Sequence, residues 1–103
     1  MSTRVHQLLK FLDEDPKDPF NIYALALEYQ KFDPEKALTF FNLLLQEHVD
    51  YVATYYHLGK LYEELGDKDQ ATRVFELGIE KAKEQQDSKA LRELQNALGE
   101  LSY

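Results

Sequence analysis

Histidine, carboxylate and serine are the side chains through which this chain could do chemistry, and their spacing decides how far each idea goes. The three histidines are His6, His48 and His57. Neutral imidazole is the commonest metal ligand, but these three are scattered over separate segments, and no His-Glu-x-x-His or related spacing sets two on one helix face. They read as partly exposed surface residues. Asp13-Glu14-Asp15 offers carboxylates for calcium, yet it lacks the central glycine and closing glutamate of a calcium loop, and Pro16 and Asp18 mark a helix exit instead. Ser2 and Ser88 stand at expected helix starts and Ser102 at a terminus, outside any nucleophile elbow, and no glycine-rich phosphate loop is present. With zero cysteines the chain has no disulfide, no thiolate nucleophile and no thiolate-bound zinc. The expectation is a noncatalytic protein with no metal and no cofactor.

Charge narrows the partners. Nineteen acidic against twelve basic residues give a net charge of -7, which repels nucleic-acid phosphates and anionic lipid unless the bases cluster. Lys81, Lys83, Lys89 and Arg92 come nearest to clustering, but Glu80, Glu84, Asp87 and Glu93 are interleaved with them as on a solvated helix face. Neither nucleic acid nor membrane is an expected partner. No apolar run reaches the ~18 residues of a membrane span, and the Met-Ser-Thr-Arg start lacks the apolar stretch of a secretory signal. The cytoplasm is the expected compartment.

The elements that must position any site follow from punctuation and periodicity. Asp18, Asp33, Asp50, Asp67 and Asp87 each precede an apolar-periodic segment, where a carboxylate can accept bonds from unpaired amides and complement the helix dipole. Pro19 and Pro34 fall at first helical positions, Gly66 suits a left-handed helix end, and Gln70, following Asp67, completes a capping-box pattern. This spacing predicts six helices, at about 3–15, 19–32, 34–48, 51–65, 68–86 and 88–101. Two stretches also repeat one another. Leu25, Ala26 and Tyr29 recur as Leu58, Gly59 and Tyr62, and Ala37 and Phe41 recur as Ala71 and Phe75. A period of about 34 residues built of helix pairs marks a helical repeat array.

On these residues the chain resembles the tetratricopeptide repeat family. The second copy fits better, with Tyr55 in the leading aromatic slot, then Leu58-Gly59, Tyr62, Ala71 and Phe75, although Gly78 replaces the usual Ala and Lys83 the Pro. In the first copy Ile22 replaces the aromatic and Leu44 the late Ala. Small residues let helix backbones approach, so Gly59 and Ala71 are expected where the second pair crosses, with Tyr62 and Phe75 filling the space beside it. The resemblance implies an all-α, right-handed antiparallel helix-hairpin stack, an α-solenoid of about six helices. One domain is expected over residues 1–103, with an N-terminal helix at 1–16, repeats at 19–51 and 52–85, and a capping helix at 86–103. In that cap Leu91, Leu94, Leu98 and Leu101 form an apolar stripe, while Gln95 replaces the small residue of close packing.

What the resemblance implies about function is binding. The family's inner surface is lined mainly by the first helix of each pair and usually holds extended peptides. Carried over, that surface comprises Phe20, Tyr23, Leu27 and Gln30, then Ala53, Tyr56, His57, Lys60 and Glu64, then Lys89, Arg92 and Asn96. An aromatic floor near Lys60, Lys89 and Arg92 suits an acidic or C-terminal peptide; the same aromatics would equally serve as padding between helices. The family's clamp for chaperone C-termini places Lys and Asn where this chain has Tyr23 and Leu27, and Asn, Lys and Arg where it has His57, Lys89 and Glu93. Only Lys89 is retained, which argues against that specialisation. Two functions stand: a module binding an extended segment of a protein partner, or a self-associating scaffold. The second would pair two copies through Val5, Leu9 and Leu12 on the first helix, unless that face folds back on Ile22 and Leu25.

Overall fold

The computed structural model describes residues 3–101, which leaves Ser2 and Ser102 outside, and all regular structure among them is α-helical. The helices are α1 (Thr3–Glu14), α2 (Pro19–Gln30), α3 (Pro34–Glu47), α4 (Ala53–Glu64), α5 (Lys68–Gln85) and α6 (Ser88–Leu101). Four of the five aspartates cap as expected. The carboxylates of Asp18, Asp33, Asp67 and Asp87 accept from the amides of Phe20 (2.9 Å), Lys36 (3.3 Å), Gln70 (3.1 Å) and Ala90 (3.0 Å). Asp50 does not start a helix. The Tyr51 amide turns back onto the His48 carbonyl at 3.0 Å, so Asp50 is spent in a turn and α4 begins later, at Ala53, without a side-chain cap.

The helix exits explain two further differences. Gly66, at φ +81°, ends α4 in a Schellman motif: its amide donates to Glu63 and that of Asp67 to the Tyr62 carbonyl at 2.9 Å. That bond occupies the Asp67 amide, so only the carboxylate arm of the expected capping box forms. The same pair of bonds ends α5, from Gln86 to Lys83 and from Asp87 to Ala82, with Gln86 at φ 57°. A left-handed glutamine carries no glycine signal, which hides this exit from a reading of the sequence.

The chain packs as two compact units, Met1–Tyr51 and Val52–Tyr103. In the first, α2 packs against both α1 and α3. Val5 and Leu8 of α1 are fully buried with Ile22, Leu25 and Ala26 of α2 and with Ala37, Phe41 and Leu44 of α3. The side-chain amide of Asn21 on α2 donates to the Phe11 and Asp15 carbonyls at the end of α1, 3.3 and 3.4 Å away, which ties the two helices together. In the second unit, α5 packs against α4 and α6, and α4 also meets α6. Its core is Tyr55, Leu58, Leu61, Ala71, Val74, Phe75, Ala82, Leu94, Ala97 and Leu101.

Close approach between α4 and α5 depends on two glycines. A Cβ on Gly59 would overlap the Phe75 ring, reaching Cδ1 at 2.6 Å, and one on Gly78 would come within 2.5 Å of Tyr55 Cβ. The glycine at 78 thus makes room for the buried Tyr55. Tyr62 differs from the expectation, being only half-buried, while Tyr29, its counterpart in the first unit, is 3% exposed. Tyr29 is enclosed by a stacked Phe40 ring and by Phe32, each 5.5 Å away, with the Lys36 ammonium 5.4 Å from its ring centre. At the corresponding positions the second copy has Val74, Leu65 and Gln70, which supply neither ring nor cation. On α6 the closely packed small residue is Ala97, 5% exposed, two places beyond the expected slot at Gln95.

Two substitution experiments check this packing. Gly59→Ala is expected to lower stability by about 1–3 kcal/mol through overpacking against Phe75, whereas Gly99→Ala, with nothing within 4 Å of the new Cβ, gains up to about 1 kcal/mol of helix propensity. Urea midpoints that shift equally for both would overturn the close-approach argument. Gln86→Gly should stabilise by roughly 0.5–1 kcal/mol, because a left-handed L-residue carries a steric penalty that glycine lacks. A lower thermal midpoint in that variant would contradict the strain assigned to this exit.

Candidate interaction surface

The expected binding residues fall on one helix of the first unit and two of the second. On α2, Phe20 is 55% exposed, and Tyr23 and Leu27 are half-buried. Phe20 and Tyr23 are neighbours, 6.5 Å between ring centres, and Tyr23 meets Tyr51 at 5.5 Å. Tyr51 belongs to the turn that delays α4, and with Pro19, Glu47, His48, Val49 and Asp50 it lines a shallow cavity of about 370 Å³. Both phenols have raised pKa values. Burial is the main cause in each, followed by the charge of Tyr51 for Tyr23 and of Asp18 for Tyr51. They stay protonated near neutral pH.

The second unit brings three of the expected residues to one place. Tyr56 and His57 of α4 and Asn96 of α6 line a cavity of about 410 Å³, joined by Glu93, Ala97 and Glu100. Its lining on α6 recurs at three- and four-residue intervals, one face of a helix. The Tyr56 and His57 rings meet edge to face, 5.4 Å apart at 88°. Lys60, the next basic group along α4, is held by Glu63 at 3.1 Å. Its pKa is raised first by that hydrogen bond, with smaller contributions from the charges of Glu63, Tyr56 and Glu100. Lys89 and Arg92 are exposed on α6 and do not line the cavity.

The binding residues expected from the sequence leave out Tyr51, Glu100 and Glu93, the last of which enters only as a departure from the clamp pattern. Tyr51 was hidden by the aspartate before it, which suggested a helix start rather than a turn. Glu93 and Glu100 had a usable signal, since they share with Asn96 the helical spacing of a single face. His6 is exposed and His48 half-buried, on α1 and after α3 respectively. Among the described residues no group of three or more His, Cys, Asp or Glu side chains could hold a metal ion, and no helix is long and apolar enough to cross a membrane.

His57 gives this surface a measurable pH dependence. Burial disfavours the imidazolium and pulls its pKa below the ordinary 6.5, while the nearby Glu93 pulls it back up. With its folded value below its unfolded one, His57 binds fewer protons in the native state. Its contribution is therefore most favourable above the unfolded value and declines as pH falls through 6.5 toward the folded value. Urea midpoints measured from about pH 7.5 down to about 5.5 should fall, and His57→Gln should flatten that part of the profile. An unchanged slope in the variant would remove His57 as its source.

Among solved structures, the crystal structure of a tetratricopeptide repeat domain protein from Salinibacter ruber is 46% identical over 82% of this chain and 97% of its own, with a TM-score of 0.78. A solution structure of a tetratricopeptide repeat domain protein from the same organism gives 49% identity, 84% and 89% coverage and a TM-score of 0.80. A Bordetella parapertussis protein, 23% identical, shares the fold over 99% of this chain and 90% of its own, with a TM-score of 0.85. No family model matches the sequence, and no curated protein matches it. The repeated slots, the paired helices packed through small residues and the extensive identity to solved repeat domains together establish that this chain belongs to the tetratricopeptide repeat family.

Proposed function

We propose that the chain is a noncatalytic interaction module that holds an extended segment of a partner protein against the exposed face that α4 and α6 share. The observation that carries this reading is the cavity between α4 and α6, where Tyr56, His57 and Asn96 converge on an open face. Ligand sites commonly enclose about 300–1,000 Å³ and combine apolar or aromatic walls with a few convergent polar groups. The exposed Phe20 ring beside Tyr23 supports a second contact region on α2. Exposed aromatics of this kind are frequent anchors in protein interfaces. Repeat folds serve many partners, so the partner must be found from the surface chemistry rather than from the fold.

Self-association through α1 has weaker support. Val5, one of the three residues expected on a pairing face, is fully buried, as is Leu8, and α1 packs against α2. Leu9 and Leu12 are half-buried, and Phe11, 45% exposed, is the large apolar side chain left for a second copy.

The test is capture from a lysate of the source cells by the wild-type chain and by a folded Tyr23→Ala/Tyr56→Ala/Lys60→Glu variant. One specific partner, retained by the wild type and reduced about tenfold or more in the variant, is the expected result. Equal capture by both would overturn these faces as the working surface. Light scattering separates the alternative: a dimer that persists on dilution and is broken by Phe11→Glu would favour self-association.

A further inference from the structure

The charges around the α4/α6 cavity point to the chemistry of what it receives. Glu93 and Glu100 enter its lining from α6, while α4 contributes His57 and, nearby, Lys60. The Lys60 charge is engaged first by Glu63, 3.1 Å away, and only at longer range by Glu100. These two side chains together are close to neutral. His57 is disposed by burial to be uncharged near neutral pH. The cavity is therefore left with two carboxylates and a tyrosine ring, and Lys89 and Arg92, the bases expected to favour an acidic peptide, lie outside its lining.

We propose that this cavity receives a basic side chain of the partner segment, with arginine preferred over lysine. Resting on the interaction role above, this assigns the partner's charge at one position. A guanidinium can lie flat on the Tyr56 ring while its N–H groups reach the Glu93 and Glu100 carboxylates, and the Asn96 side-chain oxygen can accept a further bond. Lysine offers a point charge without the planar stack. An acidic side chain would face both glutamates and is excluded by repulsion. The chain's net charge of -7 adds a long-range field of the same sign as the cavity, which steers a cationic segment toward it.

The test is NMR titration of the isotope-labelled full chain with N-acetyl-arginine methylamide, and with the lysine and glutamate counterparts. Saturable shifts at Tyr56, His57 and Asn96 are expected with arginine, weaker ones with lysine and none with glutamate. Glu93→Gln/Glu100→Gln, which keeps side-chain shape, should weaken arginine binding about fivefold or more, while Lys89→Gln/Arg92→Gln should leave it unchanged or tighter. Equal response to arginine and glutamate, no saturable shift at these residues, or undiminished affinity in the Glu93→Gln/Glu100→Gln variant would overturn the proposal. The two readings fail separately. A cellular partner lost in the Tyr23→Ala/Tyr56→Ala/Lys60→Glu variant but fully retained by Glu93→Gln/Glu100→Gln would sustain the interaction role and overturn the basic side chain. An arginine site with no partner captured by the wild type would support the site and overturn the interaction role.

Discussion

The second unit depends on how closely α4 and α5 approach, and that distance is set by two places where glycine faces an aromatic ring system. Gly59 leaves room for Phe75, and Gly78 leaves room for Tyr55. Both aromatic residues are essentially buried, so neither can move aside at low cost in a core packed to crystal-like density. The first unit fills the corresponding slots with other residues. Where the second has Tyr55 and Gly78, the first has Ile22 and Leu44, both fully buried. The two pairs are not of equal volume, since two branched aliphatic residues together are bulkier than a tyrosine with a glycine, so the two units fill these slots differently.

Helix ends and side-chain burial differ in how far they can be read from the chain before its structure. The helices were legible because their starts are written in short-range chemistry: an aspartate carboxylate reaching an amide two or three residues on needs nothing beyond its own neighbours. Asp50 misled because an aspartate suits a turn as well as a cap, and only the bond from Tyr51 back to His48 separates the two. Tyr29 and Tyr62 occupy the same repeat slot and differ in burial because their surroundings, rings and a lysine in one case and aliphatic or polar residues in the other, come from the following helix and turn. Slot identity gives the helix face; burial depends on what that face meets.

The candidate surface was legible to a similar depth. Aromatic positions on α2 and α4 and the amide on α6 follow from helical spacing, and three of them converge on one cavity. Its electrostatic character does not follow from counting nearby bases, because the charge available to a ligand is what remains after local pairing. Lys60 is held by Glu63, one turn along the same helix, and Lys89 and Arg92 of α6 are not part of the lining. The carboxylates at the cavity therefore outweigh the lysines and arginine that the sequence sets close by.

Three of the connections economise on residues in a way that constrains how this fold can change. At Asp33, Asp67 and Asp87 the main-chain amide closes the preceding helix, on Tyr29, Tyr62 and Ala82, while the carboxylate of the same residue opens the next. One residue thus terminates one helix and starts another, with no slack between them. Adding or deleting a single residue at such a corner would disturb two helix ends at once, so these turns, although on the surface, should be as fixed in length as the helices they join. The stretch from His48 to Val52 carries no such shared residue, and there α4 starts without a side-chain cap. Length variation among related chains should therefore be tolerated better between His48 and Val52 than at Asp33, Asp67 or Asp87.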